Sequence, residues 1–346
     1  MRTIDLRSDT VTLPTPAMRK AVYNAELGDD VFGEDPTTKR LEQMAAERMG
    51  KQAGLLVASG TMGNLVCILT HCARGEEVIL GDQCHTFLYE AGGMSALGGI
   101  HPHTIRNQAD GTMRLEDIKA AVRGDNVHFP RTRLICLENT HNRCNGSALT
   151  PEYVDSVAAL AKEHGLSVHL DGARIFNAAV ALGLDAKELT RSVDSVSFCL
   201  SKGLSAPVGS VVCGSSEFIA EARRTRKVLG GGMRQSGIIA AAGITALEEM
   251  VDRLAEDHKN ARRLAEGIAA IKGLSIELAN VQTNIIYFEL ASNRLTADEL
   301  VTELGKKGVK ILCVGPSQLR AVTHYGISAE DIGLTVRALG EVMKTV

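Results

Sequence analysis

Lys202, in Ser197-Phe198-Cys199-Leu200-Ser201-Lys202-Gly203, follows a short apolar run that reads as a buried strand, and so does Asp171, in His169-Leu170-Asp171-Gly172-Ala173-Arg174. An amine and a carboxylate in such places are costly unless something occupies the space between them. Pyridoxal phosphate fits both: its aldehyde condenses with a lysine amine, and a carboxylate keeps its ring nitrogen protonated. Ser59-Gly60-Thr61 lies between an apolar run and a helical pattern. Free backbone N–H groups, a hydroxyl and the positive end of a helix there suit a phosphate. His85, just past another apolar run, is a candidate to stack on a flat ring in a chain without tryptophan. Taken singly, each has an ordinary reading: a helix N-cap, a capping aspartate, a solvated lysine, a structural histidine. The ordered set is far more specific than any member.

These groups need strand ends to stand on. Extended runs are expected at Gly54–Ala58, Glu77–Leu80, Leu134–Leu137, Leu166–Leu170, Ser195–Leu200 and Ser210–Cys213, with amphipathic helices between them, most clearly Pro151–His164. Short apolar strands interleaved with helices predict an α/β domain whose mostly parallel sheet lies between helices. Ligands in such sheets bind beyond the carboxyl ends of the strands. Near Ala246 the pattern changes. A long amphipathic helix is expected to about Ile271, then extended runs at Leu274–Leu278, Thr283–Leu290, Val309–Cys313 and Leu319–His324, with helices at Ala297–Lys307 and Ser328–Lys344. The division expected is an N-terminal arm and large domain over 1–246 and a small C-terminal α+β domain over 247–346, joined through the long helix.

Composition narrows the function. The chain has 346 residues and a formal net charge of −3, with charges of both signs interspersed. This offers no long-range attraction for nucleic acid or an anionic membrane. The longest apolar stretch, Ile238–Leu247, is shorter than the roughly 20 residues of a membrane span. The eight cysteines form no C-x-x-C pair and read as buried free thiols in a reducing compartment. The N-terminal residues lack the apolar core of a secretory signal, so a cytoplasmic location is expected. No clear ligand set for a metal ion is visible.

Longer motifs carry a resemblance. They are Ile4 through Thr12, Gly28 through Pro36, Ser59 through Asn64, Leu137 through Asn142, His169 through Arg174, Leu200 through Gly209 and Gly230 through Gln235. Through them the chain resembles the low-specificity L-threonine aldolase family, enzymes of the fold-type-I pyridoxal-phosphate class, over nearly its whole length. The resemblance implies retro-aldol cleavage of L-threonine, L-allo-threonine and other β-hydroxy-α-amino acids to glycine and an aldehyde. It implies that Lys202 binds pyridoxal 5'-phosphate covalently, Asp171 contacts the ring nitrogen, Gly60 and Thr61 hold the phosphate, and His85 stacks on the ring. Arg234 would reach the phosphate of a neighbouring subunit in a homo-oligomer, a tetramer in this family.

Ser8, Arg174 and Arg320 match positions that grip the substrate carboxylate, Arg174 also lying close to the ring's phenolic oxygen. His128 matches a histidine near the substrate's β-hydroxyl. The proton-handling group is His85 or His128. The segment Arg143–Leu149 departs from the family pattern, so it is a place where substrate preference could differ, as are Phe87 and Leu88. Two other readings remain at this point: a β-eliminating lyase or transaminase on the same fold, and a non-catalytic binding protein that retains the fold.

Overall fold

The computed structural model describes residues 2–292 and 294–345. A seven-stranded sheet runs in the order Ala53–Val57, Ser210–Gly214, Ser195–Cys199, Ser167–Asp171, Thr132–Glu138, Glu77–Gly81 and His101–Ile105. Ser210–Gly214 is antiparallel to both neighbours, and the remaining pairs are parallel. Central strands such as Ser195–Cys199 are buried along their whole length, as expected when helices cover both faces. Val168, Leu170, Val196, Phe198 and Val211 join one continuous core with the covering helices, where Phe176 meets Phe198 edge to face at 5.3 Å.

The strand His101–Ile105 is an addition to the sequence reading. Its composition, His-Pro-His-Thr-Ile, lacks an apolar run because it lies at the sheet edge with one side partly exposed. Pro102 is tolerated at such an edge, where a missing donor is harmless.

The second core is built on a four-stranded antiparallel sheet, in the order Leu312–Cys313, Gln318–Val322, Ile285–Leu290, Leu274–Ser275. Helices Leu254–Ala269, Ala297–Lys306 and Ala329–Thr345 accompany it. The chain's first strand, Ile4–Asp5, pairs in parallel with Val309–Lys310, and Ile4 and Leu6 are buried in this second core. The amino-terminal arm is thus packed with the C-terminal residues.

Two element expectations are corrected. The helix expected from Ala246 to Ile271 is two helices, Gly237–Glu249 and Leu254–Ala269. The first is buried nearly all round in the large core, whereas the second has one apolar face toward the small core. No Gly or Pro marks the turn between them. Arg253 fastens it by pairing with Asp257 at 2.6 Å and lying over Tyr325 at 5.2 Å. The run Val309–Cys313 is likewise two short strands that serve different sheets.

Three imidazoles are kept neutral by burial. His169 is pushed down to about 3, with neighbouring His71 adding to the effect, and His71 and His258 are each pushed down to about 4. In the unfolded chain each takes up a proton near pH 6.5. Between about pH 6.5 and about pH 4 the unfolded chain therefore binds more protons than the fold, and stability falls as pH drops. Three such groups give a slope of at most about 4 kcal/mol per pH unit. The expected result is a clearly lower urea midpoint at about pH 5.5 than at about pH 7.5. Equal midpoints would contradict it.

Candidate active site

At the carboxyl ends of the central strands, Gly60, Thr61, Asn64, His85, Glu90, Asp171, Ala173, Cys199, Ser201 and Lys202 line one cavity. Larger surface depressions, such as the one beside Met343, bring together no comparable set of groups. The sheet register explains the convergence. Asp171 ends its strand beside Ser197 of the next, and Lys202 follows that neighbour by a short turn. Gly60 starts a helix capped by the Ser59 side chain, which accepts from the Met62 N–H at 3.2 Å. A Cβ at Gly60 would lie 2.8 Å from Cys199 Sγ, so only glycine lets this helix end approach the strand so closely.

Asp171 Oδ1 accepts from the Ala173 N–H at 3.0 Å, and Oδ2 from Asn64 Nδ2 at 2.8 Å. Asn64 Nδ2 also donates to Glu90 Oε1 at 2.8 Å, and Glu90 meets His85 Nδ1 at 3.0 Å. Burial lowers the proton affinity of His85, but the hydrogen bond to Glu90 and the charges of Asp171 and Glu90 outweigh it, so the net shift is upward. Glu90 is raised by burial and by the charge of Asp171. The turn that carries His85 is anchored by Glu138, whose two oxygens accept the N–H groups of His85 at 2.7 Å and Asn142 at 2.8 Å.

Cys84, Glu138 and His141 converge behind this turn with potential ligand atoms within 4.8 Å of one another. The backbone bonds to Glu138, and the Cys144 N–H held by His141 Nδ1 at 3.3 Å, account for their placement as hydrogen-bonded support.

A second cluster lies beside the cavity. Arg174 Nε and Nη2 grip Asp9 at 2.7 and 2.6 Å in a fully buried fork. Burial raises the Asp9 carboxyl, but Arg174, with Lys202 and Arg320 farther off, outweighs it and holds the group well below the carboxylate range. Ser8 caps the short turn that carries Asp9 and accepts from the Thr10 N–H at 3.2 Å. Arg320 stands opposite Tyr287 on the neighbouring strand, and its buried Nε has no hydrogen-bond partner among the described residues. Burial and the charge of Arg174 lower its proton affinity, the signature of a guanidinium placed for an anion.

The fold thus brings Lys202, Asp171, His85, Gly60 and Thr61 to one cavity, with Ser8, Arg174 and Arg320 in the adjoining cluster. It does not bring in two others. His128 is exposed on the loop after Arg123, and Arg234 points at Asp29 at 3.1 Å and lies over Phe32 at 6.0 Å. Asn64, Glu90, Asp9 and Glu138 have site roles the sequence reading did not assign. Asn64, Asp9 and Glu138 stood inside the quoted motifs without a role, and Glu90 carried no signal. The departing segment does reach the site's surroundings: Arg143 Nη1 donates to the Tyr89 hydroxyl at 3.1 Å, and the Tyr89 ring lies 5.5 Å from that of His85.

The residues present fit pyridoxal phosphate. Among the described residues the Lys202 amine makes no hydrogen bond or ion pair, although it faces a cavity that holds a buried carboxylate and a histidine. Ser210 Oγ, buried beside Gly60, also has no partner among the described residues.

Sequence comparison decides the family. Residues 5–291 match the beta-eliminating lyase family. The chain is 50% identical to low-specificity L-threonine aldolase 1 of Arabidopsis thaliana, over 100% of this chain and 98% of that one. It is 45% identical to the low specificity L-threonine aldolase of Escherichia coli K12, over 95% and 96% of the two chains. The chain belongs to the low-specificity L-threonine aldolase family. It is a carbon–carbon lyase on the fold-type-I architecture. Among solved structures, Leishmania major threonine aldolase superposes with a TM-score of 0.85 at 20% identity, covering 98% and 99% of the two chains. A structure described as SPT with PLP internal aldimine superposes at 0.75 and 20% identity, covering 99% and 89%. Threonine aldolases and this more distant enzyme thus share one fold.

Proposed function

We propose that this threonine aldolase family member cleaves L-threonine, L-allo-threonine and other β-hydroxy-α-amino acids to glycine and an aldehyde, with pyridoxal phosphate held at Lys202. The convergence of Lys202, Asp171 and His85 on one cavity, beside the unpartnered Arg320, carries this reading. When bound, the cofactor accepts the electron pair released as the Cα–Cβ bond breaks. Lys202 would hold its aldehyde, Asp171 its ring nitrogen, and the backbone of Gly60 and the Thr61 hydroxyl its phosphate. Arg320, Ser8 and the Nη1 of Arg174 hold the substrate carboxylate. That clamp would fix the orientation of the substrate's α-carbon in the cavity.

His85 stacks on the ring and handles protons. With Nδ1 engaged by Glu90, Nε2 is the nitrogen left to take the β-hydroxyl proton. His128 takes part only where subunit assembly delivers it to a cavity. Arg234 serves the phosphate of a neighbouring subunit, in a homotetramer. Its orientation away from its own cavity supports this, as does Phe32, exposed and apolar beside it. The free cysteines, seven of them buried, suit a reducing compartment, the cytoplasm.

The test is a product assay on both threonine diastereomers. Glycine and acetaldehyde in equal amounts, without ammonia or keto acid, are expected. Ammonia with a keto acid would instead support a β-eliminating lyase, and amino transfer a transaminase. A second expectation concerns Arg320→Ala. Losing a partly buried guanidinium from a carboxylate costs about 2 kcal/mol or more, so KM should rise roughly 30-fold or more. The cofactor should stay bound, and its loss would misplace Arg320.

A further inference from the structure

Asn64 is wedged between two carboxylates. Its Nδ2 gives one hydrogen to Asp171 and one to Glu90, each at 2.8 Å. Oxygens of these two side chains lie within 4.8 Å of each other and of His85. Carboxylates at that spacing cannot both stay ionised without a donor between them. The amide turns its NH₂ group to the two acids because ionised carboxylates can only accept. Its Oδ1 accepts from Ser197 Oγ at 2.7 Å and from His169 Nε2 at 3.1 Å. His169 Nδ1 in turn accepts from the Ser195 hydroxyl at 2.9 Å, and Ser195 Oγ accepts from His71 Nε2 at 2.8 Å. With the NH₂ group facing the two acids, the tautomers follow and every donor in this buried row points one way.

We propose that Asn64 and Glu90 are positioning residues, Asn64 allowing Glu90 to carry charge beside Asp171, and Glu90 holding the His85 ring and its proton. The inference rests on the cofactor reading above. The same fork then sets both ends of the chemistry: Asp171 for the cofactor's ring nitrogen, and His85 for the substrate proton. The charged and titratable groups facing His85 are Glu90 from its own segment, Asp171 from the strand end and Lys202 from the opposite loop, with the Tyr89 ring alongside.

The test uses sign, which a merely structural role does not reproduce. In Asn64→Ala the two acids repel unscreened and Asp171 loses the donor that holds its carboxylate in place, so the cofactor's dissociation constant, read by absorbance during dilution of the holoenzyme, should rise roughly tenfold or more. Adding Glu90→Gln to that variant removes the competing charge, so the double variant should bind cofactor more tightly than Asn64→Ala alone. Affinity unchanged in Asn64→Ala, or weakened further in the double variant, overturns the proposal. Should Asn64→Ala not fold, Glu90→Gln alone decides by NMR. The His85 titration midpoint should fall by about one pH unit, and an unmoved midpoint overturns the role of Glu90. That titration is also readable without cofactor, so a wild-type protein that binds no pyridoxal phosphate would sink the cofactor reading while leaving the fork testable.

Discussion

Lys202→Ala is expected to lower turnover to less than about a thousandth of the wild-type rate. The variant lacks the amine that, in the proposed function, would hold the cofactor's aldehyde. A positioned intramolecular amine is worth far more than the same group in solution, so added amines should restore only a fraction. Nothing nearby replaces it, because the other cations around the site are guanidiniums and the imidazole of His85, which is committed to Glu90. Borohydride reduction of cofactor-loaded wild type should leave a pyridoxyl tag on the peptide that contains Lys202. Turnover within tenfold of wild type in the alanine variant would end the assignment.

Asp9→Ala is expected to destabilise the fold by roughly 3 kcal/mol or more, because it strands the buried Arg174 guanidinium. Arg174 is buried, and its proton affinity, lowered by burial, is restored above the ordinary value chiefly by Asp9. Asn284 Nδ2, which donates to Asp9 Oδ2 at 3.3 Å, also loses an acceptor. The urea midpoint should drop, and KM should rise because Arg174 then has no fixed direction. A variant as stable as wild type would show that water or a rotamer change satisfies Arg174 without strain. Asp9→Asn should be milder, since it keeps an acceptor oxygen while losing the charge.

Much of this site could be read before folding. Lys202, Asp171, His85, Gly60 and Thr61 each follow a strand-like run, and a doubly covered sheet sends such positions to the same edge. The strands themselves were legible because they are continuous apolar runs, and the helix at Pro151 because Pro151 marks its start. The edge strand at His101 was not, since a half-exposed edge carries no apolar run. Nor was the break at Met250–Arg253, because it is made by the choice of which core each helix enters, and no Gly or Pro records that choice.

The amino-acid order alone therefore determined the α/β alternation, the strand-end chemistry and the family. It did so because apolar periodicity is local and the motifs are contiguous. Folding decided which polar groups meet: Asn64 with Asp171, Arg174 with Asp9 and Glu90 with His85, the first two pairs more than a hundred residues apart in sequence. A side chain's partner across a sheet or beneath a turn depends on register and packing that no local pattern carries. The strength of such pairings comes from burial, which exists only once the chain has folded.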